Sequence, residues 1–452
     1  MAEASPSPRW KRHALPLAIF LVTAALYAIT TGPRALAPSP NNHYAHLAES
    51  WLHGELGVLG GRPPGFNDWA CFDRSTGEVC PPNAFNGTNP SYEWYVSFPP
   101  LPAVVMVPFV AMFGRDFSDP LIWAILAGLA PALLFMLLRR LREEELSPRT
   151  LRDDLFLVVL FAFGSVYFYV SVQGSVWFSA QVLDAALLIG FLYFAIGARN
   201  AALAGLCLGL SFLCRPTTAP FALFFLLEAI RAHRTSDAET SGLLEWLRGA
   251  RWPAVLRQSA IFAAPVLVIG AIAMWHNHAR FDDPFEFGHA FLMIRWRPRI
   301  EKWGLFNYHY LSKNLAVYLA SLPWLSGTFP YLTISLHGLA LWFTSPNLVP
   351  VLWPKRVDTL MRSLFVTVAI VAVWDLCYQN SGWVQFGYRF ALDYLPMLIV
   401  LLALGGRALF TKLSIGALVF AIIVNTFGAI TFDRVPMFYD NDMSQERVFQ
   451  PD

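Results

Sequence analysis

The sequence predicts an all-α integral membrane protein, a polytopic helix bundle of about eleven spans with a large first outer loop that carries interfacial helices. Three observations predict it. Hydrophobic residues make up 56% and charged residues 14% of the 452 residues, against roughly 25% charged in ordinary soluble domains. Apolar runs recur near the ~20 residues that a helix needs to cross ~30 Å of hydrocarbon. Basic residues gather in some loops and avoid others, which orients the spans.

The first span is Leu15 to Thr31. RWKRHALPLAIF resembles a signal-peptide start and PRALA a cleavage site, but the apolar core runs roughly 17 residues against the usual 7–15, and more spans follow. An uncleaved span is the reading. Arg9, Lys11 and Arg12 hold residues 1–14 in the cytoplasm. Residues 32–119 form the first outer loop. Counting Phe98 to Phe113 as a span would put the loop Arg139 to Asp154, with its five arginines, outside. The positive-inside rule forbids that, so segment 98–114 stays outside and interfacial, entered through Pro99, Pro100 and Pro102.

Pro120 to Leu138 then runs inward, Leu155 to Val172 outward and Val176 to Ala198 inward. Ala201 to Leu213 and Thr217 to Ile230 are two short helices meeting at Cys214, Arg215 and Pro216. Pro216 disfavours helical geometry at Arg215, and a broken element at membrane depth is tolerated only beside protein or a cavity. Arg215 should therefore face a polar pocket near the outer surface. After a second basic cytoplasmic loop, RAHRTSDAETSGLLEWLRGAR, Ser259 to Trp275 leads into the second outer loop, 277–335. Leu315 to Leu352 is apolar but punctuated by Pro323, Gly327, Pro330, Gly338 and a Ser-Pro pair at Ser345. It reads as interfacial pieces plus one inward span ending before Lys355 and Arg356. Leu364 to Leu376 leads to a third outer segment, 379–393. Tyr394 to Phe410 and Leu413 to Thr431 complete a single membrane domain, 1–452, with MFYDNDMSQERVFQPD outside and no internal repeat.

Of the five cysteines, Cys207, Cys214 and Cys377 lie in apolar segments as small core residues. Cys71 and Cys80 share the outer loop, where oxidising conditions permit a disulfide whose geometry the sequence leaves open. Asn86, Gly87 and Thr88 form a glycosylation acceptor. The net charge of +2 forms no basic stripe, so no nucleic acid is expected. Without a GxxxxGK[ST] loop or a soluble Rossmann unit, no nucleotide site is expected either. No cofactor is predicted; a divalent cation stays open.

Three outer segments rich in carboxylates, arginines and aromatics share one side. With the first span, the loop behind it, FPPLP, GLSFLCRP at 209–216 and QFGYRFALDYLP near the end, this order of features resembles the GT-C-fold membrane glycosyltransferases that use polyprenyl-phosphate-linked sugars. It is most similar to the bacterial dolichyl-phosphate-mannose-mannosyltransferase-like group. The resemblance covers most of the chain. It implies hexosyl or pentosyl transfer from a lipid-phosphate donor in the bilayer to a glycan, lipid or protein acceptor at the outer (periplasmic or extracellular) face, with inversion.

Such chemistry needs a carboxylate to deprotonate the acceptor hydroxyl and cations to hold the departing phosphate. Related enzymes commonly keep an acid just after the first span, where this chain has Asn41 and Asn42. The substitutes are Asp68, Glu49 and His43. Asp68 lies in a Gly/Pro-rich irregular stretch and reads as the base, or as a turn former capping its own backbone. Glu49 falls on the wet face of a helix marked by Tyr44, Leu47 and Trp51. His43 could orient a substrate or act as base; His46 follows three residues on, but with no third ligand evident no metal site is read. For the phosphate, Arg389 leads, with Tyr388 beside it. A charge at a helix centre costs ~2.5–3.5 kcal/mol, so Arg389 should have a partner, and Asp393 offers an i,i+4 pair. Arg215, Arg295 and Arg297 are further candidates, although WRPR equally suits snorkelling at headgroups.

Asp184 and Gln181 should hydrogen bond inside the bundle, Asp375 should sit in the interface at its span end, and Glu228 belongs with the cytoplasmic basic residues. Trp94, Trp177, Trp275 and Trp383 read as interfacial anchors. The alternatives are a secondary transporter or lipid-linked glycan flippase, and a glycan polymerase on a similar scaffold. Transporters of that kind often show paired halves with matching broken helices, and no repeat is visible here.

Overall fold

The computed structural model describes residues 9–63, 68–86, 89–235, 242–294 and 296–440. Among them, six helices are long and apolar enough to cross a membrane: His13–Leu36, Asp119–Glu143, Val176–Ala198, Trp252–Phe281, Thr359–Leu376 and Lys412–Thr431. The chain is an integral membrane protein. Leu101–Phe113, Ala201–Phe212 and Leu395–Leu404 are shorter apolar helices. Leu395–Leu404 is apolar on every face, and all ten residues are buried. A helix of that kind is stable in water only inside a bundle.

Near one end of the bundle, arginines from two basic loops cap the last carbonyls of neighbouring helices, which have no partner within their own helix. Arg149 Nε donates to Ala403 O at 3.1 Å, Arg356 Nε to Leu404 O at 2.8 Å, and Arg140 Nη2 to Ile196 O at 2.8 Å. Glu228 sits with them, paired to Arg231 at 2.7 Å. At the opposite ends, the first loop closes on itself: the Ser39 backbone N–H and hydroxyl each donate to the Asp119 carboxylate at 2.7 Å. The two ends of the excursion from the first span therefore lie side by side.

Three expectations are corrected. The fold is not all-α: Trp69–Asp73 is the centre of an antiparallel sheet with Glu78–Val79 and Tyr92–Val96, and a second sheet joins Trp324–Leu325, Leu332–Ser335 and Tyr439–Asp440. Aromatic and β-branched residues favour such pleated, half-buried surfaces. A disulfide joins Cys71 and Cys80, whose Cα atoms are 5.4 Å apart, beside this first sheet. Leu155 to Val172 is two helices, Leu151–Phe163 and Tyr167–Ser171. Between 321 and 358 no helix is long enough to cross; Pro323, Pro330, Pro346 and Pro350 withhold the backbone donors a continuous helix needs, and short elements replace the expected inward span. The residues Gly87, Thr88 and 441–452 lie outside the described residues.

Helix Ala201–Phe212 lies directly on Trp252–Phe281 through Gly205 and Gly209. These glycines are four residues apart and share one helix face, the small-residue spacing that lets membrane helices approach closely. A Cβ at Gly205 would run into Phe262 O, and one at Gly209 would sit 2.7 Å from Ile269 Cδ1. Gly205→Ala should lower the detergent unfolding temperature, at a cost of about 1–3 kcal/mol. Gly270→Ala, where a Cβ would meet nothing within 4 Å, should not; equal effects of the two variants would contradict the packing.

Candidate active site

A cavity of about 1100 Å³ lies among the helix ends away from the arginine caps, and Asp68, Arg215 and Arg389 all line it. Its walls also include Asn41 and Tyr44 behind the first span, Trp177 and Phe178 from the start of the third spanning helix, Glu286 and Trp296 from the second loop, and Asp375, Tyr378 and Trp383 around the third segment. Three distant stretches of sequence thus share one space.

Asp68 precedes strand Trp69–Asp73 with φ of 55°, the left-handed region that Asp tolerates better than most residues. Its Oδ2 accepts a 2.8 Å hydrogen bond from Trp177 Nε1. Burial pushes its carboxyl above the ordinary range, against the lowering influence of the Trp177 bond and of Arg389. Asp68 is therefore a stronger base than a solvated carboxylate.

Arg389 is 5% exposed. Its guanidinium donates through Nη1 to Gln181 Oε1 and through Nε to Gly382 O, both at 3.2 Å. The rings of Phe178 and Phe390 lie 5.3 and 5.0 Å away. Burial pushes the guanidinium down to about 10, so it stays charged at neutral pH. No carboxylate lies within salt-bridge distance of it among the described residues. The expected Arg389–Asp393 pair is absent because Arg389–Asp393 is a 3-10 helix. With three residues per turn, position i+4 falls on a different face from i.

Asp393 turns instead to Arg215, which donates to it from Nε at 3.0 and 3.2 Å and from Nη2 at 2.7 Å; the Thr217 hydroxyl also donates to it. Arg215 follows helix Ala201–Phe212, at the break that Pro216 enforces, and lies 5.0 Å over the same Phe390 ring as Arg389. Gln181 hydrogen bonds within the bundle, as does Asp184, which accepts from Ser211 Oγ at 2.5 Å.

The other candidates lie elsewhere. Glu49 Oε2 pairs with Arg115 Nη1 at 2.9 Å, outside the cavity lining. His43 is buried under Trp69, ring centroids 4.0 Å apart. Tyr388 is fully buried between the rings of Tyr318 and Phe390. Arg297 Nε pairs with Glu301 at 2.7 Å within its own helix; its neighbours Ile294 and Trp296 reach the cavity instead. Arg295 lies outside the described residues. Trp177 anchors Asp68 rather than a headgroup. Asp375 is not interfacial but 1% exposed and on the cavity wall. No short-range signal marked these last two.

No family model matches this sequence, and no curated protein matches it. Among solved structures, the chain is similar to ArnT from Cupriavidus metallidurans bound to undecaprenyl phosphate, with 11% identity, a TM-score of 0.46, and coverage of 90% of this chain and 63% of that one. It is also similar to the archaeal oligosaccharyltransferase AglB from Archaeoglobus fulgidus in complex with an inhibitory peptide and a dolichol-phosphate, at 14% identity and a TM-score of 0.44, covering 94% and 56%. The apo Archaeoglobus fulgidus oligosaccharyltransferase gives 14% and 0.42, covering 93% and 56%. The chain spans less than two thirds of the length of each of these proteins.

The Trp177 bond favours ionised Asp68, so its loss should raise the Asp68 pKa further. In infrared titration, the protonated-carboxyl band that Asp68→Asn removes should persist to higher pH in Trp177→Phe than in the unmodified protein. A midpoint that stays put or falls would contradict the geometry.

Proposed function

We propose that this chain is a glycosyltransferase that moves a hexosyl or pentosyl group from a polyprenyl-phosphate carrier to an acceptor hydroxyl at the outer face of the membrane, with inversion. The observation that carries the reading is one cavity faced by a carboxylate of raised basicity and a buried guanidinium with no carboxylate at salt-bridge distance among the described residues. A buried cation of that kind is costly unless an anion joins it. The leaving phosphate of a lipid donor is such an anion, and the membrane position supplies the lipid tail with its solvent.

Asp68 takes the proton of the acceptor hydroxyl as the acceptor oxygen attacks the anomeric carbon from the face opposite the phosphate. The bond from that carbon to the phosphate oxygen breaks, and both its electrons leave with the carrier phosphate. Arg389 holds the charge that develops there, and Arg215, anchored by Asp393, adds a second positive field. Fixed donors aimed at developing charge need no reorganisation during the step. The orientation follows from the basic loops: the cavity lies at the opposite helix ends from the arginines that the positive-inside rule assigns to the cytoplasm.

Purified protein incubated with radiolabelled polyprenyl-phosphate sugars and a mixed acceptor extract should release free carrier lipid. Asp68→Asn, which can still accept the Trp177 bond, should cut kcat by about 10²–10⁴-fold, and Arg389→Ala by about 10²–10³-fold. Turnover undiminished in Asp68→Asn would remove it as the base; release from no donor would remove the enzyme itself. In intact cells, a membrane-impermeant maleimide should label Ser75→Cys and spare Glu145→Cys, both at exposed positions. The reverse pattern would place the cavity in the cytoplasm and overturn the proposed face.

A further inference from the structure

Among the described residues, buried carboxylates are supplied with N–H or hydroxyl donors, with one exception. Asp119 receives Ser39, Asp184 receives Ser211, and Asp393 receives Arg215 and Thr217. Asp375, in the last turn of Thr359–Leu376, is 1% exposed and lines the cavity. No N–H or hydroxyl of the described residues donates to it, and its Oδ2 is a buried oxygen with no partner. Its charged neighbours are the carboxylates Asp393 and Asp184 and the guanidinium of Arg215, which Asp393 already holds at bidentate range; the Asp375 carboxyl shares a side-chain hydrogen bond with Asp393, and Oδ2 is the oxygen left over. Buried polar atoms in folded proteins are nearly always satisfied, and the exceptions call for a reason.

The position supplies one. Tyr378, one turn beyond Asp375, lines the same cavity and lies within charge range of Arg215, Asp68 and Arg389. Asp375 therefore faces the space next to the reacting groups, yet it touches neither the base nor the phosphate seat. A group bound there must bring its own hydrogen-bond donor.

We propose that Asp375 reads the transferred sugar, accepting a hydrogen bond from a ring hydroxyl of the group carried on the lipid phosphate. The inference rests on the glycosyltransferase reading and adds a specificity-determining residue to it. The ligand class is a hydroxyl-bearing pyranose or furanose; Asp375 forms and breaks no covalent bond. Because the contact lies on the sugar, it contributes to the binding of the loaded carrier and not of the bare one.

The test compares two ligands by quenching of tryptophan fluorescence: undecaprenyl phosphate alone, and undecaprenyl phosphate carrying glucose, mannose, galactose or arabinose. The unmodified protein should bind at least one loaded carrier more tightly than the bare lipid. Asp375→Ala should leave the bare-lipid affinity unchanged and weaken the preferred loaded carrier by about tenfold, the upper scale of a net hydrogen bond. A donor lacking the contacted hydroxyl should bind both proteins alike. If Asp375→Ala does not fold, Asp375→Asn, which keeps the volume and one acceptor oxygen, should show a loss of about fivefold. Equal weakening of bare and loaded carriers overturns the proposal, as does a preference for the sugar that survives the substitution. Those results leave the phosphate seat standing, whereas failure of the unmodified protein to bind the bare lipid would remove the parent reading and this one with it.

Discussion

One carboxylate cannot hold two guanidinium groups at bidentate range, and in this protein Asp393 is taken by Arg215. The rest of the cavity depends on that choice. Arg215 is held at the break between two short helices and loses its freedom to reach other anions. Arg389, four residues before Asp393 in sequence, is left with amide and carbonyl oxygens and two aromatic rings. These neighbours orient it without neutralising it. Among the described residues, this charge has no carboxylate at salt-bridge distance and lies beside 1100 Å³ of open volume.

The bundle makes this arrangement affordable by separating its charges. Arginines of the basic loops satisfy helix C-terminal carbonyls near one end, while the Ser39–Asp119 contact ties the first loop down at the other. Close approach of helices at Gly205 and Gly209 holds the Arg215 break against Trp252–Phe281. Aromatic packing of His43 on Trp69 then fixes the strand that begins just after Asp68. Asp68 and Arg389 thus owe their positions to different elements, one to a small sheet and the other to the helical core.

Much of this was legible in the sequence, and what was not has physical causes. Hydropathy is a local average, so the apolar runs that form the six long helices could be read directly. Asp68, Arg389 and Arg215 stood out because charge is rare in apolar or aromatic surroundings, and all three line the cavity. The Arg389–Asp393 pair failed because it assumed α-helical spacing where the chain adopts the tighter 3-10 form. Glu49, His43, Tyr388 and Arg297 had the right chemistry and chain position, but packing turned them to Arg115, Trp69, Tyr318 and Glu301. Asp375 and Trp177 were assigned to the membrane interface because end-of-span position is all that sequence reveals, whereas Trp177 bonds Asp68, more than a hundred residues away, and Asp375 lines the cavity. Long-range contacts of that kind leave no periodicity to read.

A cryo-electron microscopy map of the purified protein with undecaprenyl phosphate tests most directly whether Arg389 seats the lipid phosphate. Phosphate density should lie within hydrogen-bond distance of the Arg389 guanidinium, with the Arg215–Asp393 pair intact beside it. Phosphate bound elsewhere while Arg389 stays buried on Gln181, or Arg389 moved onto a protein carboxylate, would contradict it.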